Sequence, residues 1–228
     1  MSYETIQQEC YDQLKDLGRT RESLKILAVS KLQPTQKIRN LCEKGQRLFG
    51  ENYVQEALLK QDQLKDLDID WHMIGTLQKN KVKLVVGKFQ LIHSVDSFEL
   101  AQAISNQALK IKTQQKVLLQ VNLAQEITKG GLSRDKLLQQ WTEIASLSGI
   151  EITGLMTMPP LSDDPEEVRP YFNELSKIQA ELIKQGPGRH SLRELSMGTS
   201  HDYHVAIEEG ATIVRLGTIL FGERPRKN

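Results

Sequence analysis

Short apolar runs rich in β-branched residues recur roughly eight times along this chain, with longer amphipathic segments between them. That alternation limits the fold more than any other feature. The runs are LKILAVSK (24–31), RLFG (47–50), WHMIG (71–75), QLIHSV (90–95), KVLLQVNL (roughly 116–124), IEITGLMT (150–157), RELSMG (193–198) and TIVRLG (212–217). Between them lie helical patterns such as TQKIRNLCEKG, SFELAQAISNQALK and DKLLQQWTEIASLSG. The second opens on the capping residue Ser97, and the third is expected to close at Gly149. Strand–helix alternation implies βαβ units and a parallel sheet. About eight units in 228 residues favour one α/β domain over 1–228, a closed (β/α)8 TIM barrel. An open doubly wound sheet is the runner-up, weakened because no GxGxxG turn follows the first strand.

An extra N-terminal helix is expected over residues 3–17, before the first strand. The chain stops soon after the eighth strand, so this helix is expected to close the ring where a final helix would sit. The segment MPPLSDDPEEVRP (158–170) reads as a surface connection before a helix at about 171–185. No shift in composition marks a second domain.

Thirty basic against twenty-nine acidic residues give a formal charge of +1. Electrostatics therefore supply no reason to expect nucleic acid or an anionic membrane as the main partner. Cys10 and Cys42 do not form a CxxC pair and read as reduced thiols. The polar start MSYETIQQECYDQLKD lacks the apolar core of a signal peptide, and no run approaches the roughly 20 apolar residues of a membrane helix. A soluble, cytoplasmic protein is expected.

In a barrel of this kind the site lies at the C-terminal ends of the strands. The first strand closes on Ala28-Val29-Ser30-Lys31. A lysine there is ordinarily a solvated end, but desolvation in the barrel mouth would make its amine a Schiff-base nucleophile. The seventh strand delivers Ser196-Met197-Gly198-Thr199-Ser200 ahead of a helical segment, and the eighth delivers Arg215-Leu216-Gly217-Thr218. Each alone reads as a helix cap or a tight turn. Together, on adjacent strands, they make a candidate phosphate cradle of N–H groups and hydroxyls. Barrel closure puts this cradle beside Lys31. A ligand with both an aldehyde and a phosphate fits, and pyridoxal 5′-phosphate (PLP) is the obvious one.

The motifs that carry this reading are AVSK (28–31), FGENYVQE (49–56), WHMIGTLQKNKVK (71–83) and IHSVDS (92–97). They continue with VN, a KGG turn, GLMTM (154–158), LSMGTSHDYHVAI (195–207) and VRLGTILFGER (214–224). In this order they resemble the pyridoxal phosphate homeostasis protein family, and nearly the whole chain takes part. Thr199 stands where many members carry a methionine, which would alter packing near the phosphate without removing an anchor. The resemblance implies a Schiff base on Lys31, with Asn52, Ser196, Ser200, Gly217 and Thr218 around the phosphate or ring. It also implies Met156 against a face of the pyridine and Arg215 near the pyridine nitrogen. His72, near a strand end, is a further candidate for contact with the cofactor region. The fold is expected to be similar to the N-terminal barrel of alanine racemase.

A cation beside the pyridine nitrogen disfavours its protonation and weakens the ring as an electron sink. Alanine racemase adds a C-terminal domain that supplies a second acid–base tyrosine and builds the dimer. This chain ends at Asn228, so no such domain is expected. These points favour a monomeric PLP-binding protein of vitamin B6 homeostasis, with PLP-dependent apoenzymes as candidate recipients and LQKNK as a candidate partner surface. A PLP-dependent amino-acid racemase of low activity is the alternative. His72, His93, His201 and His204 lack the Cys/His or HExxH pattern of a metal site and read as core or capping residues. The basic run Lys79, Lys81, Lys83 and Lys88 reads as a solvated helix face.

Overall fold

A computed structural model describes residues 2–124, 126, 130–186 and 188–222. The ends of two matched motifs, Lys129 of the KGG turn and residues 223–224, lie outside the described residues. Eight strands follow one another: β1 Lys25–Val29, β2 Leu48–Glu51, β3 Asp70–Met73, β4 Leu91–Val95, β5 Gln115–Val121, β6 Ile150–Thr157, β7 Glu194–Thr199 and β8 Ile213–Leu216. All neighbouring pairs are parallel, and β1 pairs with both β2 and β8, so the sheet closes in sequence order. Closure excludes the open sheet. The helices are α1 Tyr3–Asp16, α2 Thr35–Glu43, α3 Val54–Gln63, α4 Val82–Val85, α5 Phe98–Lys110, α6 Arg134–Ala145, α7 Arg169–Lys184, α8 Tyr203–Glu208 and α9 Thr218–Phe221.

Period-two alternation sorts the strand residues into two cores. Leu27, Leu91, Leu118, Met156 and Ile213 form a compact cluster inside the barrel, with Val29, Leu48 and Ile74 packed on it. Their sequence neighbours Ile26, Ala28, Ile92, Val117, Leu119, Leu155 and Val214 belong instead to the larger core under the helices. The same parity turns Ser196 and Arg215 inward, since Leu195, Met197, Val214 and Leu216 all pack outward.

The ring is sealed by α1. At one end its Gln13 amide donates to the His204 carbonyl of α8, at 2.9 Å. At the other, Tyr3 Oη donates to Gln46 Oε1 at 2.9 Å and Glu4 pairs with Lys44, both just past α2. The N-terminal helix thus sits between α8 and α2, as its position in the sequence leads one to expect.

Among the differences from the sequence reading, three stand out. Strand β1 stops at Val29, and Ser30–Lys31–Leu32 form a turn in which Leu32 takes the left-handed φ of 61°. Helix α6 stops at Ala145, not Gly149. Gly149 serves close packing rather than helix termination, because a Cβ there would lie 2.2 Å from the Ser105 carbonyl oxygen of α5. The basic run is not one helix face: Lys79–Lys81 make a 3-10 turn and Lys83 falls in the four-residue α4, where buried Val82 and Val85 turn inward. Among the described residues, no helix is long and apolar enough to cross a membrane.

Candidate functional site

Asn52, Ser200 and Gly217 follow β2, β7 and β8 directly and Lys31 lies two residues past β1, and these four strands are consecutive staves of the closed barrel. They therefore share one end, the C-terminal mouth. The Gly217 N–H donates to Ser200 Oγ at 3.0 Å, and the Ile219 N–H lies 3.5 Å from the same oxygen. The loops after β7 and β8 are thus tied by N–H groups at the start of α9. Thr218 is exposed beside them. Thr199 donates its hydroxyl to Asp202 Oδ1 at 2.9 Å, and its backbone N–H donates to the same oxygen.

The remaining inward groups form a hydrogen-bonded chain through the barrel. Arg215 donates to Ser196 Oγ at 2.8 Å and to the Thr157 carbonyl at 2.9 Å. Ser196 Oγ lies 2.9 Å from His93 Nδ1, and His93 Nε2 lies 2.9 Å from His72 Nδ1. One proton assignment pairs every link of this chain: Ser196 accepts from Arg215 and donates to His93 Nδ1, and His93 Nε2–H donates to His72 Nδ1. Both rings are then neutral. Burial, helped by the Lys25 charge, pushes the His72 pKa down to about 3. Burial first, then His72, Arg215 and Lys25, holds His93 well below the ordinary imidazole range. Burial also lowers Arg215 to about 10, with Asp202 opposing, so it stays cationic at neutral pH. No carboxylate among the described residues is in ion-pair contact with it.

The sequence-derived residues therefore fall into two groups. Lys31, Asn52, Ser200, Gly217 and Thr218 gather at the mouth. Ser196, Arg215 and Met156 lie within the barrel, Ser196 being Met156's register partner across β6 and β7. His72 is joined to Ser196 through His93, and it lines a cavity of about 720 Å³ with Lys25, Asp70, Lys116 and Glu194, at the strands' opposite, N-terminal end. Its link to the mouth is the hydrogen-bond chain.

Sequence reasoning missed a buried ionic cluster under the Lys31 turn. Lys60 Nζ donates to the Ser30 carbonyl at 2.7 Å, to Glu51 Oε1 at 2.8 Å and to Glu56 Oε1 at 2.6 Å. Ser30 Oγ donates to Glu51 Oε1 at 2.6 Å, and the Leu32 N–H donates to Glu56 Oε1 at 2.6 Å. Burial raises the Glu51 pKa, opposed by Lys60 and Ser30. The i,i+4 spacing of Glu56 and Lys60 on α3 was the one local signal of this cluster. His93 was read as a core residue, and nothing in the sequence joined it to Ser196.

Residues 11–225 match the alanine racemase N-terminal domain. A pyridoxal phosphate homeostasis protein of Aquifex aeolicus (strain VF5) is 47% identical over 221 residues, covering 97% of this chain and 94% of its own. The chain belongs to the pyridoxal phosphate homeostasis protein family. Its family neighbour PipY of Synechococcus elongatus PCC7942, in a structure with PLP bound, aligns with a TM-score of 0.83 and 40% identity. That alignment covers 93% of this chain and all (100%) of PipY. An alanine racemase of Clostridium difficile 630 shares the barrel (TM-score 0.72) at 18% identity, and this chain matches 60% of it. That likeness extends to the fold alone.

Proposed function

We propose that this family member binds PLP covalently through Lys31 and serves intracellular vitamin B6 homeostasis as a cytoplasmic monomer, without a catalytic cycle of its own. Residues 1–228 would act as one cofactor-binding barrel domain. PLP-dependent apoenzymes are the recipients that such a role calls for. The observation that carries the reading is the convergence of Lys31, Asn52, Ser200 and Gly217 on one barrel mouth above the buried Arg215.

The residues present fit the cofactor on three counts. Asn52 Oδ1 is buried without a hydrogen-bond partner, as an atom reserved for a ligand would be. A Cβ on Gly217 would meet nothing closer than Val29 Cβ at 3.6 Å, so packing does not require glycine there, while an approaching phosphate would. Finally, the N–H groups that Ser200 now occupies are suited to an anion. Ser200, Gly217 and Thr218 would hold the phosphate, Asn52 and Met156 the ring, and Arg215 the ring nitrogen. Ser196 would act one hydrogen bond away from Arg215 and His72 three away, through His93 and Ser196, by orienting Arg215. The bound group would supply an aldehyde that condenses with the Lys31 amine, with release of one water.

The chain's own groups favour holding over turnover. Arg215 is a buried cation with no ion-paired carboxylate among the described residues, and it would oppose a proton on the ring nitrogen. His93 and His72 are held neutral by burial and lie below Arg215, poorly matched to general base work near neutral pH. The relatives' names agree in describing homeostasis proteins rather than enzymes.

Borohydride reduction of the yellow protein followed by peptide mass mapping should place a pyridoxyl group on Lys31. A label confined to other lysines, or a Lys31→Ala variant as yellow as the parent, would overturn the attachment. Incubation with L-alanine or L-serine should give no more D-isomer than free PLP gives. Turnover well above that level would establish the racemase reading instead.

A further inference from the structure

Lys31 stands between two residues whose backbone atoms are both held by α3. The Ser30 carbonyl accepts from Lys60 Nζ, and the Leu32 N–H donates to Glu56 Oε1. One lysine bridges two carboxylates, and it is almost fully buried, with side-chain exposure of 7% against 0% for Glu51 and 24% for Glu56. Burying such a group is costly, and well-packed apolar residues commonly stabilise a fold as well or better. What the ionic cluster adds is geometry. Leu32 takes a left-handed φ of 61°, a conformation that a leucine keeps only where its surroundings fix it. Here the fixing contacts reach the residues before and after the reactive lysine.

We propose that Glu56 and Lys60 are positioning residues that hold the Ser30–Leu32 turn so that the Lys31 amine meets the cofactor aldehyde. The inference rests on Lys31 as the attachment residue. Glu56 acts through the Leu32 N–H, and Lys60 acts through the Ser30 carbonyl while neutralising Glu51 and Glu56. Neither touches the cofactor. Loss of either should loosen the turn and leave the phosphate cradle on β7 and β8 intact.

The test compares two ligands on Glu56→Ala, Glu56→Gln and the parent. PLP can bond to Lys31, whereas pyridoxine 5′-phosphate carries an alcohol in place of the aldehyde and cannot. Glu56→Ala should weaken PLP binding about tenfold and slow borohydride-trappable labelling of Lys31 to a similar degree. Its affinity for pyridoxine 5′-phosphate should stay within about twofold of the parent. Glu56→Gln should restore PLP binding, because its amide oxygen still accepts from the Leu32 N–H. Parent-like labelling in Glu56→Ala, equal weakening of both ligands, or failure of the glutamine to rescue would each overturn the proposal. Peptide mapping separates the two levels. A parent label on a lysine other than Lys31 removes the attachment reading itself, whereas a Lys31 label indifferent to Glu56 removes only the positioning role.

Discussion

At the residue scale, the barrel interior carries a charge at one end of a hydrogen-bonded chain and neutral imidazoles along it. Arg215, Ser196, His93 and His72 are each bonded to the next, and all four are buried. The linkage has a definite sign. Both histidines titrate below their unfolded value, so the unfolded chain takes up protons first as pH falls. Their contribution is complete above about pH 6.5 and is lost as pH falls towards the folded value, which for His72 is about 3. Keeping His72 neutral should cost about 2 kcal/mol of stability at pH 5, and His93 acts in the same direction. Urea unfolding at pH 7, 6 and 5 should therefore show a steep fall for the parent and a shallower one for His72→Gln. Equal slopes would mean that His72 is not held neutral.

Single elements show what period-two patterning can and cannot convey. All eight strands were legible because a stave buried on both faces reads as a short apolar, β-branched run. The inward facing of Arg215 and Ser196 follows from the same alternation once the two cores are seen. Partners were not legible: the sequence shows Glu51, Glu56 and Lys60 near one another but not that all three turn toward residue 30. Nor could it show that β1 ends two residues early, because AVSK continues the apolar run while the Glu51 and Lys60 contacts pull Ser30 into the turn. Among the described glycines, the tightest setting is that of Gly154, where β6 meets β7. A Cβ on Gly154 would lie 1.9 Å from the Glu194 carbonyl oxygen, which is backbone and cannot swing aside. Gly154→Ala should therefore cost about 3 kcal/mol or more and part the two strands, read as a lower urea midpoint. A parent-like midpoint would show that the staves can separate without loss.

The whole molecule depends on a seam between its first and last units. Arg19, just past α1, donates to the Ile207 and Ala211 carbonyls at 2.8 and 2.7 Å and also to the Ser23 carbonyl. It satisfies carbonyls at the C-terminal end of α8, where a cation is favoured. Arg19→Met leaves those carbonyls unpaired and should lower stability by about 1–3 kcal/mol with an unchanged denaturant slope. A changed slope would mean that the seam opens separately from the rest. The place of α1 was foreseeable from the order of elements, whereas Arg19 as its fastener was not, because its partners are backbone carbonyls some 190 positions away (|i−j| of 188 and 192).

That seam also bears on how the chain acquires its shape during synthesis. Helix α1 is translated before the eight strands, yet α8, against which it packs, follows the seventh of them. Its contacts with Gln46 and Lys44 can form early, but the face that carries Ile6, Cys10 and Leu14 is not sealed against α8 until most of the barrel is made. Helix α1 is thus made well before its seam can close, and its apolar stripe is where a nascent-chain chaperone would be needed most.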